Sequence, residues 1–493
     1  MSTSEAVPGV VAIAAAVAAG ERRAEDVVAE HLARADAGRG LNALLHVTRE
    51  SALERARAID ARRQAGKTVG RLAGVPVVLK DNLCMRGEPT TCASRILEGY
   101  KPPYDADCVE RLLAEDAVIV GKANMDEFAM GSSNENSAFG RVLNPWDTAR
   151  APGGSSGGSA ASTAAAFGAV ALGSDTGGSV RQPGAFCGVA AIKPTYGRLS
   201  RYGLIAFASS LDQVGTMTRS VRDGARVLGV LAGHDKRDAT SSTEAVPVYE
   251  AACEEPVKGL RVGVLRSALE QVEDEDVRAA FAEAEASLRD AGCEIVDIEL
   301  PHAHHGVAVY YLVATAEASS NLARFDGMRF GLRVAGDDLL STYERTRAQG
   351  FGLEVKRRIM LGTYALSSGY YDAFYIKAQK VRTLMVRDYA QAFERCDAVL
   401  SPTAPTPAFA LGEKTNDPLA MYLADIFTLP PSLAGLPAMH VPLSLGARSR
   451  LPVGVQITTP AFTEPRMLQL AAALEGRSGY VCAPPMATGR RDA

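Results

Sequence analysis

The sequence predicts an α/β protein in which helices cover both faces of a large mixed β-sheet. Short apolar runs of strand length alternate with segments of helical periodicity along most of the 493 residues. Two stretches, 72–120 and 260–300, each read as strand, helix and strand, the unit that places parallel strands side by side. The composition, 47% hydrophobic and 22% charged, is that of an ordinary globular protein.

The elements follow from periodicity and turn residues, taken in chain order. Residues 1–65 predict a helical N-terminal layer, 159–172 a buried helix of small residues, and 234–256 an exposed connection. Residues 308–395 are mainly helical in pattern. The other predicted elements are strand 72–79, helix 105–114, strand 117–120, strand 188–192, helix 221–231 with its cap at Ser220, strand 260–265, helix 274–291, strand 294–300, strands 398–400 and 453–457, and helix 464–474.

Composition and charge exclude several kinds of function. The net charge is −4 and there is no long basic run, so any RNA contact is expected to come through a partner. The eight cysteines are scattered without a Cys-x-x-Cys pair, which fits a reducing cytoplasm. The apolar run 10–20 is too short to span a membrane. His302, His304 and His305 predict a surface cluster, and no metal site is expected.

Two serine-bearing glycine turns, 153–158 and 177–179, are the main functional signal. A serine after such a turn can present its hydroxyl beside backbone N–H groups, which are the parts of an acyl-transfer site. Three alternatives compete: a flexible linker, a phosphate-binding loop, and the nucleophile elbow of an α/β-hydrolase. The apolar interior argues against a linker, and no Gly-Lys-Ser/Thr follows the glycines. The histidines available to an elbow are His234, His302, His304, His305 and His440.

A serine nucleophile also needs a base, and two lysines at strand ends, Lys80 and Lys122, are candidates. A solvated lysine has a pKa of about 10.4, so only about one in a few thousand is uncharged at pH 7. Burial among apolar groups lowers that pKa by up to several units. The local sequence does not separate the two lysines.

Three motifs, in this order and spacing, resemble the amidase signature family of hydrolases and amidotransferases with a Ser-Ser-Lys triad. They are Lys80-Asp81-Asn82, the run from Gly153 to Ser159, and the run from Asp175 to Pro183. The resemblance covers most of the chain. It implies the amidase-signature fold as a single domain over 1–493.

By position, the resemblance implies that Ser179 is the nucleophile, Ser155 the bridging hydroxyl and Lys80 the base. In the family, a cis peptide bond precedes the residue at position 155. Lys122 is then structural. The implied oxyanion N–H groups come from the turn of Thr176, Gly177 and Gly178, with Ser179 itself.

Further stretches resemble those family members that are glutaminase subunits of tRNA-dependent amidotransferases. They are 124–133, 317–327, 354–363, 401–407 and 423–426. The implied substrate is free glutamine, whose carboxylate is assigned to Arg358 and whose ammonium to Asp425, with the adjacent Arg357 left open as the clamp. Tyr310 is expected as a pocket wall, and Ser132 as part of the pocket lining.

The resemblance also implies partners. Ammonia is expected to pass to a second subunit, B, that amidates mischarged tRNA, with a small third subunit, C, completing a heterotrimer. ATP and magnesium are expected on that partner and no cofactor on this chain. A cytoplasmic location without membrane contact is expected. Two alternatives remain: a free-standing amidase, and a non-catalytic assembly or nucleotide-binding subunit. Whether glutamyl- or aspartyl-tRNA is the acceptor stays open.

Overall fold

A computed structural model describes residues 7–485 and contains a single mixed sheet of eleven strands. The strands are β1 (Leu44–Val47), β2 (Pro76–Lys80), β3 (Val118–Ala123), β4 (Val170–Asp175), β5 (Ala190–Lys193), β6 (Gln213–Thr218), β7 (Arg261–Leu265), β8 (Glu294–Ile298), β9 (Ala398–Pro402), β10 (Ala438–Leu445) and β11 (Pro452–Thr458). Their order across the sheet is β1-β3-β2-β4-β6-β5-β10-β11-β9-β7-β8. The strand β2 runs parallel to β3 and β4, β7 runs parallel to β8 and β9, and the other pairings are antiparallel.

Seventeen helices of the described residues surround this sheet. They are α1 (Val10–Ala19), α2 (Ala24–Ala37), α3 (Arg49–Gln64), α4 (Asp107–Ala114), α5 (Gly157–Ala164), α6 (Arg181–Cys187), α7 (Val221–Leu231), α8 (Tyr249–Ala252), α9 (Arg266–Glu270), α10 (Glu275–Asp290), α11 (Gly306–Asn321), α12 (Leu339–Gly350), α13 (Leu353–Leu366), α14 (Lys377–Arg395), α15 (Pro418–Tyr422), α16 (Leu429–Leu433) and α17 (Glu464–Ser478). A π-helical turn, Asp372–Ile376, leads into α14.

Helices lie on both faces of the sheet, as predicted, and the packing around β5 shows this. A Cβ at Gly184 of α6 would lie 2.4 Å from the Ala191 side chain, and one at Gly224 of α7 would lie 2.8 Å from the Ile192 side chain. Consecutive residues of a strand point to opposite faces. The helices α6 and α7 therefore cover opposite faces of the same strand.

Two boundary predictions were wrong. The stretch 1–65 was expected to be a helical layer, but within its described residues β1 forms an edge strand that pairs with β3; residues 1–6 lie outside the described part. The segment 159–172 was expected to be one helix, but α5 ends at Ala164 and β4 begins at Val170. Both halves consist of small buried residues, and periodicity cannot separate a buried helix from a buried strand. The strands β6 and β10 were missed.

Other predictions agree with the structure. Ser220 caps α7 by accepting a hydrogen bond from Asp223 N at 3.2 Å. The segment 308–395 contains α12, α13 and α14 and most of α11, and 234–256 contains only the short α8.

The sheet brings the two predicted motifs together at one edge. The strands β2 and β4 are parallel neighbours, with Leu79 opposite Leu172, so both end on the same side of the sheet. Lys80 is the last residue of β2 and Asp175 the last of β4. The carboxyl ends of strands are where ligands bind in open α/β sheets.

The approach of α5 to β3 gives a test of this packing. A Cβ at Gly158 would lie 2.2 Å from Asn124 O and 2.6 Å from Ala43 O, both backbone atoms that cannot rotate away. We expect Gly158→Ala to lower the free energy of unfolding by about 1–3 kcal/mol, measured by urea denaturation. Gly476→Ala is the control, because no atom of the described chain lies within 4 Å of that position on α17. It is expected to raise the free energy of unfolding by up to about 1 kcal/mol. Equal stability of the two variants would contradict the packing.

Candidate active site

The amine of Lys80 is fully buried at the end of β2 and is held by two serine hydroxyls. Lys80 Nζ lies 2.7 Å from Ser155 Oγ and 3.0 Å from Ser174 Oγ. Burial lowers the pKa of Lys80 to about 7, although nearby Asp126 favours the charged form. Among the described residues, no carboxylate lies within ion-pair distance of this amine. The site therefore contains an amine that loses its proton near neutral pH.

Lys122 is equally buried but has a different environment. Its Nζ lies 3.2 Å from Asp81 Oδ1 and donates hydrogen bonds to Leu83 O, Pro89 O and Thr90 Oγ1 at 2.9–3.1 Å. A carboxylate and three neutral acceptors stabilise its charged form. The geometry favours Lys80 over Lys122 as a base.

The turn that carries Ser155 has no room for side chains at its glycines. A Cβ at Gly154 would lie 2.1 Å from Asp126 Oδ2, and Gly153 has a φ of 78°. The Gly154–Ser155 peptide is cis, as in the family. Ser155 O accepts a hydrogen bond from Asp126 N at 3.1 Å.

Ser179 lies in the second turn, beside the first. Ser156 N donates a hydrogen bond to Ser179 O at 3.1 Å, which keeps the two turns adjacent. The side chain of Ser155 is completely enclosed, whereas Ser179 is 8% exposed and so borders open space. Within residues 7–485 there is no hydrogen bond between Ser155 Oγ and Ser179 Oγ. The structure thus joins Lys80 to Ser155 and places Ser179 in the neighbouring turn.

Two glycines keep the turn before Ser179 open. A Cβ at Gly177 would lie 2.7 Å from Tyr310 Cε2, and Gly178, with a φ of 150°, has Thr428 Oγ1 2.1 Å from its Cβ position. Within the described chain, no hydrogen bond has the backbone N–H of Gly177, Gly178 or Ser179 as its donor. These N–H groups are available to bind an oxyanion. Tyr310 forms a wall against this turn, as expected.

Thr176 anchors the start of the same turn through its side chain. Its Oγ1 donates a hydrogen bond to Asp212 Oδ1 at 2.7 Å, and Asp212 Oδ2 accepts from Phe207 N and Ala208 N at 2.8 and 3.0 Å. Burial raises the pKa of Asp212 to about 6. Asp212 therefore links the turn to the chain that contains Phe207.

A buried ion pair and an amide fix the other side of the turn. Arg181 donates to Asp175 through Nε at 3.0 Å and Nη2 at 2.9 Å. Burial raises the pKa of Asp175, but the Arg181 charge outweighs it and holds this pKa below its usual value. Gln182 accepts from Gly154 N at 3.0 Å and donates to Ser132 O at 2.9 Å, so it joins both serine turns to the Ser132 loop.

Arg358 lies on the buried side of α13, among aromatic rings. Its guanidinium carbon is 5.0 Å from the centre of the Tyr311 ring and 5.6 Å from that of Tyr422, and these two rings stack at 3.7 Å. Arg358 Nε donates to Glu354 Oε1 at 2.8 Å, while its Nη groups donate to no described residue. The Arg358 side chain is 3% exposed and that of Arg357 is 39% exposed. The structure therefore places Arg358 in the interior.

Asp425 lies close to the Ser179 turn and is only partly satisfied. Ser132 Oγ donates a hydrogen bond to Asp425 Oδ2, but Asp425 Oδ1 is buried without a partner among the described residues. Burial raises the pKa of Asp425 to about 7. A buried carboxylate oxygen without a partner is costly, so Oδ1 fits a cationic ligand group.

The chain is similar to known proteins over most of its length. The sequence model of the family described as Amidase matches residues 26–468. The chain belongs to the amidase family. This membership confirms the resemblance read from the serine and lysine motifs, and the observed sheet confirms the expected fold.

Several similar family members share one description. The A subunit of a glutamyl-tRNA(Gln) amidotransferase from Synechococcus sp. (strain JA-2-3B'a(2-13)) is 56% identical over 92% of this chain and 89% of that protein. The corresponding protein of Anaeromyxobacter dehalogenans (strain 2CP-C) is 56% identical over 96% of each chain. The crystal structure of the A subunit from Thermotoga maritima has a TM-score of 0.77 and 42% identity, covering 93% of this chain and 92% of that one.

The described residues contain neither a long apolar helix able to cross a membrane nor a group of three potential metal ligands among His, Cys, Asp and Glu. All eight cysteines, each within the described range, are free. His302 pairs with Asp388 through Nδ1 at 3.0 Å.

Several residues of the site carried no sequence signal. Asp126, Asp212 and Tyr311 lie far along the chain from the groups they contact, and each reads alone as an ordinary surface or core residue. Ser174 and Gln182 lie next to or within the second serine motif, but nothing in the motif shows which of its polar residues touch Lys80 or Gly154.

The contrast between the two lysines predicts opposite effects on stability. Lys80→Met removes a buried amine that has no ion-pair partner in the described chain, so we expect an unchanged or higher free energy of unfolding, measured by urea denaturation. Lys122→Met leaves Asp81 buried without its cation and is expected to lower this free energy by about 3 kcal/mol. A Lys80→Met variant that is as destabilised as Lys122→Met would contradict the assignment of these environments.

Proposed function

We propose that this chain is the glutaminase subunit of a tRNA-dependent amidotransferase, using Ser179, Ser155 and Lys80. The observation that carries this proposal is the buried amine of Lys80, 2.7 Å from Ser155 Oγ and with its pKa lowered to about 7. Its support comes also from the two relatives above, which are 56% identical and named for that subunit.

In the proposed reaction, Ser179 Oγ attacks the side-chain amide carbon of glutamine. Its proton passes to Ser155, whose own proton passes to uncharged Lys80. The oxyanion that forms is stabilised by the free N–H groups of the turn ending at Ser179. The relay then returns a proton to the leaving nitrogen, the carbon–nitrogen bond breaks, and ammonia departs. Water hydrolyses the glutamyl ester by the same steps.

This relay requires the two serine hydroxyls to approach each other when glutamine binds. The Ser156 N to Ser179 O hydrogen bond at 3.1 Å keeps the turns adjacent. Hydrogen bonds of catalytic groups are often long in a free enzyme and shorten in the substrate complex. Glutamine in the pocket, with its amide carbon between Ser179 and the turn, would supply that closure.

The proposed pocket binds glutamine at both ends of its amino-acid group. The Nη groups of Arg358, which donate to no described residue, are free for a forked contact with the carboxylate. The Oδ1 of Asp425, unpaired within the described chain, is suited to the ammonium. Ser132 holds Asp425 in place, and Tyr310 closes the wall next to Gly177.

Ammonia would then pass to a second subunit, B, which amidates glutamyl-tRNA(Gln) or aspartyl-tRNA(Asn), in a heterotrimer with a third subunit, C. ATP, magnesium and tRNA are assigned to that partner. A surface that attracts polyanions is not expected on a chain with a net charge of −4.

The nucleophile is tested by Ser179→Ala in the complete assembly, with ammonia release from glutamine as the measurement. We expect the rate to fall by about 10⁴-fold or more, because the attacking oxygen is removed. Ser162→Ala is the matched control: Ser162 lies on α5 in the same motif region and its buried hydroxyl has no partner among the described residues. Undiminished ammonia release by the Ser179 variant would reject the proposed nucleophile.

The same preparation distinguishes the proposal from a free-standing amidase. A glutaminase subunit should release ammonia from glutamine and not from varied unrelated amides, and amidated tRNA should form only with its partners present. Strong turnover of such amides by the isolated chain would favour the free-standing enzyme.

The pH dependence of kcat/KM tests both raised and lowered pKa values. Lys80 must be uncharged to accept a proton and Asp425 must be charged to bind an ammonium, and both have a pKa of about 7. Both requirements are met only above pH 7, so kcat/KM should rise with pH and approach a loss of about a hundredfold per pH unit well below 7. In Asp425→Asn the remaining dependence should be about tenfold per unit. A rate that falls as pH rises from about 6 to about 8 would contradict the assignment of Lys80 as base.

A further inference from the structure

One surface of α13 carries large apolar side chains that the described chain does not cover. Leu353, Met360 and Tyr364 are 74%, 72% and 50% exposed. Their spacing of seven and four residues places them in a single stripe on the helix. The stripe lies opposite the face that buries Val355 and Arg358. Surface helices normally present polar residues there, and contiguous exposed apolar patches mark interaction sites.

The apolar surface continues beyond α13. The ring of Tyr364 lies 4.4 Å from that of Tyr370, and Tyr370 in turn stacks with Phe374 at 5.8 Å. Tyr370 and Tyr371 are themselves 41% and 42% exposed. We call the surface formed by Leu353, Met360, Tyr364, Tyr370 and Tyr371 the α13 face.

The charge around the α13 face is opposite to that of the whole chain. Residues 353–387 contain seven basic and two acidic side chains, whereas the net charge of the protein is −4. One of the two acids, Glu354, is already paired with Arg357 and Arg358. Lys377, Lys380 and Arg387 are exposed and have no ion-pair partner within the described chain. The rim of the α13 face is therefore cationic.

We propose that the α13 face binds the ammonia-accepting subunit, through a segment of that subunit with apolar anchors and flanking acidic residues. The proposal rests on the proposed function for the identity of the partner. Aliphatic Leu353 and Met360 need an apolar counterpart, which a polypeptide provides and a sugar–phosphate backbone does not. Tyrosine, methionine and arginine are the residues enriched at the centres of protein interfaces.

The position of the α13 face also fits this partner. A cavity of about 110 Å³ is lined by Leu353 on the α13 face and by Arg358 in the proposed glutamine pocket. The same helix thus contacts the substrate on one side and the partner on the other. A subunit that receives ammonia needs to lie close to the pocket that releases it.

The test uses the full chain co-expressed with the B and C subunits from the same genome, with complex formation measured by light scattering and affinity by titration. We expect Met360→Glu, and separately Leu353→Glu, to weaken assembly by about thirtyfold or more, because each places a charge where an apolar anchor is required. Val248→Glu is the matched control, since Val248 is also 74% exposed but lies in the 234–256 connection. Its assembly should equal that of the unaltered chain. All three variants should unfold at the same temperature, because the altered side chains are exposed.

Three results would overturn the proposal. Assembly of the Met360 and Leu353 variants with unaltered affinity would show that the partner binds elsewhere. Dimers of the isolated chain that dissociate in Met360→Glu would assign the α13 face to a second copy, and loss of tRNA binding with assembly intact would assign it to RNA. If the unaltered chain fails to assemble, the proposed function itself fails, and the binding site for that partner fails with it.

Discussion

The hydrogen bond between Lys80 Nζ and Ser155 Oγ, 2.7 Å long and closed off from water, is the interaction on which the site depends. It has value for catalysis only if the amine is uncharged, and burial is what makes it so. The parallel strands β2 and β4 deliver the lysine and the second serine turn to the same edge of the sheet. The helix α5, packed on both strands, holds the first turn against them.

Three buried carboxylates surround this amine without pairing with it. Asp126 accepts backbone hydrogen bonds from Asn134 and Asn136, Asp175 pairs with Arg181, and Asp212 holds Thr176. Each carboxylate is therefore committed to fixing a turn. Their charges favour protonated Lys80 and oppose the effect of burial, so the pKa of Lys80 is lowered only to about 7. A base with that pKa is matched to neutral pH.

Sequence reasoning reached the sheet class, the motifs and Lys80, because those depend on short runs whose chemistry is local. It failed where two environments give the same residue pattern: 159–172 is buried throughout, so its change from helix to strand leaves no periodic trace. The choice between Lys80 and Lys122 needed the family resemblance, and the structure gives its physical reason, which is the contact of Lys122 with Asp81. Asp212 and Tyr311 could not be found, because they reach the site only through tertiary contacts.

The protonation state of Lys80 is the central claim, and it can be measured directly. Lysine labelled with carbon-13 at the ε position reports the charge of each amine by NMR, and the Lys80→Met variant identifies the signal of Lys80. The account predicts that this signal titrates with a midpoint near pH 7 while exposed lysines titrate near about 10. A Lys80 signal that remains that of a charged amine up to about pH 10 would contradict the account.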